Sequence, residues 1–150
     1  MIILKQSITE ATENVIIHGC NNRGVFGAGA AKAIAEKWPV VKDDYMRSFG
    51  RGWTESFLWF LGSHSRCLVG PGKMVYNLVT QNGFGRDGRK YAKYWAVLKG
   101  LSEILYYHRG EDVAITKIGC GLGGLNWETL KPLLIELEDD FEINFYVYEV

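Results

Sequence analysis

The stretch from Asn14 to Trp38, NVIIHGCNNRGVFGAGAAKAIAEKW, constrains the fold more than any other part of the chain. An apolar run, Val15 to Cys20 with His18 inside it, reads as a strand buried on both faces. A glycine-rich loop follows, and then an alanine-rich helical pattern over Gly27–Trp38. In that pattern Ala30, Ile34 and Trp38 recur at helical spacing, while Lys32 and Glu36 fall on the wet side. Such an order sets backbone N–H groups and a helix N-terminus at the carboxyl end of a buried strand, where an anion is held without lysine or arginine. A second unit of the same kind lies at IGCGLGGLNW, Ile118 to Trp127, after the strand-like run Asp112–Ile118. Two such loops in one small chain point to one elongated, phosphate-bearing ligand.

The rest of the chain supplies the layers around these loops. Pro39 stops the first helix, and Val40–Phe49 reads as a second, ended by Gly50. Arg51–Lys73 is the least legible part, with short strands at Leu58–Leu61 and Cys67–Val69 beside the turn-forming Gly70–Pro71–Gly72. Met74–Thr80 is a strand, and Asn82–Lys90 a loop. Tyr91–Tyr107 is a helix with Tyr91, Tyr94, Trp95, Leu98, Leu101 and Leu105 on one face. Pro132 requires the last helix to start near Glu128 or Thr129, and it runs to about Asp139. Ile143, Phe145 and Val147 alternate with Asn144, Tyr146 and Tyr148 in a closing strand. Strands alternating with helices over 150 residues imply a single α/β domain, residues 1–150, with a largely parallel sheet.

Composition narrows the partners. Formal net charge is +0, so no general pull draws the chain to nucleic acid or to an anionic membrane. No apolar run spans a bilayer, and MIILKQSITE lacks the layout of a signal peptide, which together predict a cytoplasmic protein. Three widely spaced cysteines, Cys20, Cys67 and Cys120, do not make a disulfide framework, and no CxxC or HxxxH pair offers a metal site. No metal or other cofactor is expected.

Several phosphate-binding families fail on spacing. A Rossmann fingerprint would need a third glycine where Lys32 stands, and its glycines would follow the strand at once, whereas Cys20–Phe26 intervenes here. No GxxxxGK[ST] is present, and neither Cys20 nor Cys120 has an arginine six residues on. The arrangement instead resembles the macro domain, the ADP-ribose-binding family. The resemblance is carried by His18-Gly19-Cys20-Asn21, then Gly27-Ala28-Gly29, then Gly119-Cys120-Gly121-Leu122-Gly123, and finally Tyr148 near the C-terminus. It covers nearly the whole chain in order. The HGCN form, the GCGL loop followed by Trp127 and the short last strand are similar to the subgroup of ADP-ribose-1″-phosphate phosphatases and small ADP-ribosyl glycohydrolases.

The resemblance implies a three-layer α/β/α fold with a mixed, largely parallel sheet, and a cleft binding ADP-ribose or ADP-ribose 1″-phosphate, free or on an ADP-ribosylated protein. Asn21 would hold the distal ribose, where a turn-forming asparagine is the plainer reading. Gly27, Ala28 and Gly29 would let backbone approach the diphosphate, and Gly119, Cys120, Gly121, Leu122 and Gly123 would form the opposite wall. Gln81 would line the same cleft with Asn77, Tyr148 would stack on adenine, and Ser7 and Ile8 lie in the first loop. His18 and Asp87 are candidates to orient or activate water beside Asn21, against plainer readings as a core histidine and an Asp-Gly turn. Arg86 or Arg89 would offset phosphate charge, and Cys20 and Cys120 read as packing residues rather than nucleophiles.

Two departures matter. The glycohydrolase type carries a lysine just after the central strand and an aspartate after GCGL, where this chain has Gln81 and Gly123, so lysine attack on the ribose is closed to it. The first loop, Gln6-Ser7-Ile8-Thr9, lacks the aspartate that many macro domains place on the adenine amino group. The expected activity is hydrolysis of ADP-ribose 1″-phosphate to ADP-ribose and phosphate. The alternatives are a protein ADP-ribosyl hydrolase and a non-catalytic reader.

Overall fold

A computed structural model describes residues 1–50 and 60–149. The elements run β1 (Ile2–Leu4), a 3-10 turn (Ile8–Glu10), β2 (Val15–Asn21), α1 (Gly29–Lys37), α2 (Pro39–Phe49), β3 (His64–Gly70), β4 (Lys73–Gln81), α3 (Tyr94–Leu105), β5 (Asp112–Thr116), α4 (Trp127–Phe141) and β6 (Asn144–Tyr148). One six-stranded sheet has the order β1-β6-β5-β2-β4-β3. Every neighbouring pair is parallel except β3 with β4. The carboxyl ends of five strands therefore share one edge of the sheet, and ligands of open α/β sheets bind at that edge.

The period-two side chains of β2 divide the core. Val15 and Ile17 pack with Leu101, Leu105, Leu130 and Leu134 of α3 and α4 on one face. On the other face Ile16 meets Ile34 and Val41 of α1 and α2, and Cys20 meets Tyr45. This is the three-layer α/β/α arrangement with a mixed, largely parallel sheet.

Pro39, which ends α1, also occupies the first position of α2, where its missing N–H costs no hydrogen bond. α3 begins three residues later than its periodicity suggests, because Ala92 forms an isolated bridge with Gln81 and keeps Tyr91 out of the helix. Its buried face is Ala96, Val97, Gly100, Leu101, Ile104 and Leu105, so Trp95 and Leu98 turn away from the core centre. Gly100 explains the rotation: a Cβ there would stand 2.0 Å from Leu78 Cδ1, so the helix backbone lies directly on β4. Gly100→Val is accordingly expected to cost about 1–3 kcal/mol through overpacking, as a lowered midpoint in denaturant unfolding. An unchanged midpoint would mean that the helix moves freely off the sheet.

Other sequence expectations shift in detail. β1, a three-residue edge strand, is too short to register as a pattern. β5 stops at Thr116, two residues before Ile118, and α4 passes through Pro132. Of the strand expected at Leu58–Leu61, residues 58 and 59 lie outside the described residues, and Phe60 and Leu61 belong to a turn. Among the described residues no helix is long and apolar enough to cross a membrane.

Candidate functional site

A cleft of about 700 Å³ opens along the carboxyl edge of the sheet, within the usual size of a small-molecule site. The strand order lays out its floor. Ser7 and Ile8 lie beyond β1, Tyr148 and Glu149 at the end of β6, Thr116 and Lys117 at the end of β5, Cys20 and Asn21 at the end of β2, and Thr80 and Gln81 at the end of β4. The β2–α1 loop forms one wall, and Gly119, Gly121, Leu122 and Gly123 the other. Both glycine loops recognised in the sequence thus face one cavity.

The first wall is rigid. A bulge between Cys20 and Asn21 breaks the register of β2 with β4 and turns the chain into the loop. Asn21 Oδ1 accepts from the Arg23 and Val25 N–H groups, at 2.8 and 3.3 Å, and Asn21 Nδ2 donates to Val25 O at 2.7 Å. Tyr45 of α2 donates to Asn21 O and accepts from Gly24 N. Asn22, wholly buried, donates to Asn82 Oδ1 and accepts from Gly83 N, so the loops after β2 and β4 are tied together. Ala28, the cap of α1, offers no side-chain acceptor to the first turn, and that N-terminus borders the cleft. The unbonded N–H groups of a helix start are the anion-binding feature anticipated from the sequence.

Opposite, the turn after Ile118 is shaped by glycine. Gly119 has φ +76°, and a Cβ on Gly123 would stand 2.7 Å from Gly119 O and 3.0 Å from Gln81 Oε1. A Cβ on Gly121 or on Gly29 (φ +59°) would meet nothing within 4 Å, so these two border open space. Gln81 Nε2 donates to Gly83 O, and Ser7 caps the 3-10 turn, its hydroxyl accepting from Thr9 N while its own N–H donates to Glu10 Oε2. Tyr148 donates to Glu13 at 2.6 Å; its phenol is pushed up to about 12, chiefly by burial and then by that carboxylate.

Four sequence candidates do not reach the cleft. His18 is completely buried between the sheet and α2, where its Nε2 lies 2.6 Å from Asn77 Oδ1. Asn77 Nδ2 donates to Val41 O, so its Oδ1 accepts and the His18 Nε2 carries the proton. Burial lowers the His18 pKa to about 4, against the raising effect of the Asn77 bond. The ring is a neutral core group, not a cleft acid or base. The Asn77 amide is likewise spent inside the core, which removes it from the cleft. Asp87 caps its own turn: it binds Tyr91 Oη at 2.9 Å and Arg89 Nε at 2.9 Å, and these partners hold its carboxyl below the usual range, the Tyr91 bond foremost. That makes it a weaker base as well as one outside the cleft lining. The Cys120 side chain turns to Ile118 O and the core, and burial raises its thiol to about 11.

Sequence reasoning overlooked Thr80, Phe84, Thr116, Lys117 and Glu149 as lining residues. Four of these, Thr80, Thr116, Lys117 and Glu149, lie at the end of a parallel strand or directly after it, a position that by itself signals a ligand edge. Among the described residues no group of histidine, cysteine and acidic side chains is placed to hold a metal ion.

No family model matches the chain. It is 24% identical over 148 residues to a DNA ADP-ribosyl glycohydrolase of Thermus aquaticus, an alignment covering 97% of this chain and 40% of that protein. The chain therefore spans well under half the length of that curated relative. Among solved structures, a protein of unknown function from Bacteroides thetaiotaomicron superposes with TM-score 0.84 at 28% identity, over 99% of this chain and 97% of that one. A macrodomain protein from Streptomyces coelicolor gives 0.77 at 24% identity, over 99% and 98%. The DarTG protein of Thermosipho africanus, solved in complex with ADP-ribose, gives 0.74 at 19% identity, over 97% and 40%. By architecture and by these superpositions, the chain has the macrodomain fold.

Proposed function

We propose that the cleft binds ADP-ribose and that the chain hydrolyses the terminal phosphate of ADP-ribose 1″-phosphate. The observation that carries this reading is the meeting of two glycine loops and an uncapped helix start on a single cavity. The diphosphate lies along the α1 N-terminus and the 119–123 loop. The distal ribose reaches Asn21 and Gln81, and the adenine end reaches Ser7, Ile8 and Tyr148. That a protein of this fold was solved in complex with ADP-ribose supports this ligand for the cleft.

In the reaction water attacks phosphorus, the P–O bond to C1″ breaks, and ADP-ribose leaves with its anomeric oxygen. An anomeric hydroxyl is more acidic than an ordinary alcohol, so its departure needs less help from a protonating group. With His18 and Asp87 outside the cleft, the rate comes from positioning and from charge, with Arg86 offsetting the phosphate and loop N–H groups orienting it. A slow turnover follows from such a site. In a phosphate-release assay Arg86→Gln is expected to lower the rate by about 10²- to 10³-fold, as loss of an oxyanion-stabilising donor does. Asp87→Ala should stay within about three-fold, since a true general base would be worth 10² or more. The reverse ranking would restore Asp87 as the base.

A second reading, removal of ADP-ribose from nucleic acid, is favoured by the loop after β4. There Arg86, Arg89, Lys90 and Lys93 outnumber Asp87, and Phe84 stands half exposed at the cleft. A local positive patch of this kind acts irrespective of zero net charge, contrary to the expectation of no nucleic-acid partner. The Thermus relative's name points the same way. Gln81 closes the lysine route to this substrate, leaving water as the nucleophile. Release of ADP-ribose from modified DNA, measured beside phosphate release, ranks the two; tight binding with neither product identifies a reader.

A further inference from the structure

We propose that Glu149, held by Lys117, selects the base of the ligand by accepting a hydrogen bond from the 6-amino group of the purine. This rests on the ADP-ribose reading and names the residue that replaces the missing first-loop aspartate. Beyond the glycine walls, at the β1–β6 end, the cleft lining changes to Ser7, Ile8, Tyr148 and Glu149. Glu149 is the carboxylate among the described lining residues, and it follows β6, three strands from Gln81 in the sheet order, with Ser7 and Ile8 after β1 beyond it. A ligand whose distal ribose rests on β4 brings the outer edge of its base there.

The carboxylate is preorganised. Its backbone N–H donates to Leu4 O at 2.9 Å, which continues the β1–β6 pairing and fixes the residue. One carboxylate oxygen, Oε2, lies 2.5 Å from Lys117 Nζ, and that ammonium also stands 5.3 Å above the Trp127 ring. Among the described residues no hydrogen bond or ion pair engages Oε1, and Glu149 lines the cleft. As an ion pair this contact contributes little to stability, being partly exposed. Its consequence is electrostatic: an unpaired carboxylate in a cleft built for a diphosphate would repel the ligand, and Lys117 cancels that charge while leaving one acceptor oxygen.

A 6-amino group donates to that oxygen. A 6-oxo purine sets a second lone pair against it, and a site built around one hydrogen-bond polarity rejects the inverted partner strongly. The test is calorimetric titration of the full chain with ADP-ribose and with its hypoxanthine counterpart, inosine diphosphate ribose. The parent should prefer ADP-ribose by about 10- to 100-fold. Glu149→Gln, whose carboxamide can present either a donor or an acceptor, should bring the preference within about three-fold. Lys117→Gln should weaken both ligands together and keep the preference, because the uncancelled carboxylate acts on the shared diphosphate. A parental preference retained in Glu149→Gln overturns the inference while leaving the ADP-ribose reading intact. A parent preferring the hypoxanthine ligand overturns it too, by assigning the base edge to Lys117. Failure of both ligands to bind the parent overturns the ADP-ribose reading itself.

Discussion

Gly29→Glu is expected to weaken ADP-ribose binding by about 100-fold or more, while the protein remains folded. The position combines two properties. Its φ of +59° lies in the left-handed region, so any side chain there adds strain of about 1–2 kcal/mol. A Cβ at that point meets no atom within 4 Å, so the glutamate has room to extend into the cleft without disturbing the core. Its carboxylate would then stand at the N-terminus of α1, where the diphosphate is proposed to lie. The substituted charge occupies the favourable end of the helix dipole and repels the ligand from it. Gly29→Ala carries the strain without the charge and serves as the control. Gly121→Glu tests the opposite wall without positive φ, since a Cβ there also meets nothing. A folded Gly29→Glu that binds as the parent does would remove the first glycine loop from the site.

The second large effect concerns stability rather than binding. His18 has a folded-state pKa lowered to about 4, against 6.5 in the unfolded chain. Above pH 6.5 the ring is neutral in both states and contributes nothing to the pH dependence. As pH falls below 6.5 the unfolded chain takes up a proton that the folded one refuses, and stability drops by about 1.4 kcal/mol per pH unit. The loss levels off below about pH 4, where the folded state also protonates, at a total of about 3 kcal/mol. His18→Gln retains an N–H to donate to Asn77 and has no titrating ring. It is expected to be less stable than the parent at pH 7, because it loses the edge contact with Phe26, yet to lose about 3 kcal/mol less between pH 6.5 and 4. Urea unfolding of both proteins at several pH values reads this directly. Parallel curves would show that His18 titrates normally and therefore reaches solvent.

Both results turn on the difference between what side-chain pattern reveals and what it conceals. The glycine loops were legible because a strand ending in polar residues and glycines, followed by a helix, has few other uses. The layers were legible because Val15–Cys20 and the alternation of Phe145 and Val147 are strong signals. The direction in which a strand residue points was not. The side chains of His18 and Cys20 pack towards α2, whereas the cleft is reached by the last residues of the strands and those just beyond them, and nothing in HGCN fixes which face is which. The rotation of α3 was concealed in the same way. Gly100, a poor helix former, marks the contact with Leu78, whereas the large apolar Trp95 lies on the outside. Lys117 and Glu149 went unnoticed because ordinary charged residues carry no local signature; only the sheet order β6-β5 brings them together.

Calorimetric titration of the unaltered chain with ADP-ribose is expected to show saturable one-to-one binding, lost on competition with excess ADP, which shares the base, proximal ribose and diphosphate but not the distal ribose. Absence of binding at millimolar ADP-ribose, or a complex that ADP cannot displace, would contradict the placement of the diphosphate between the two glycine loops.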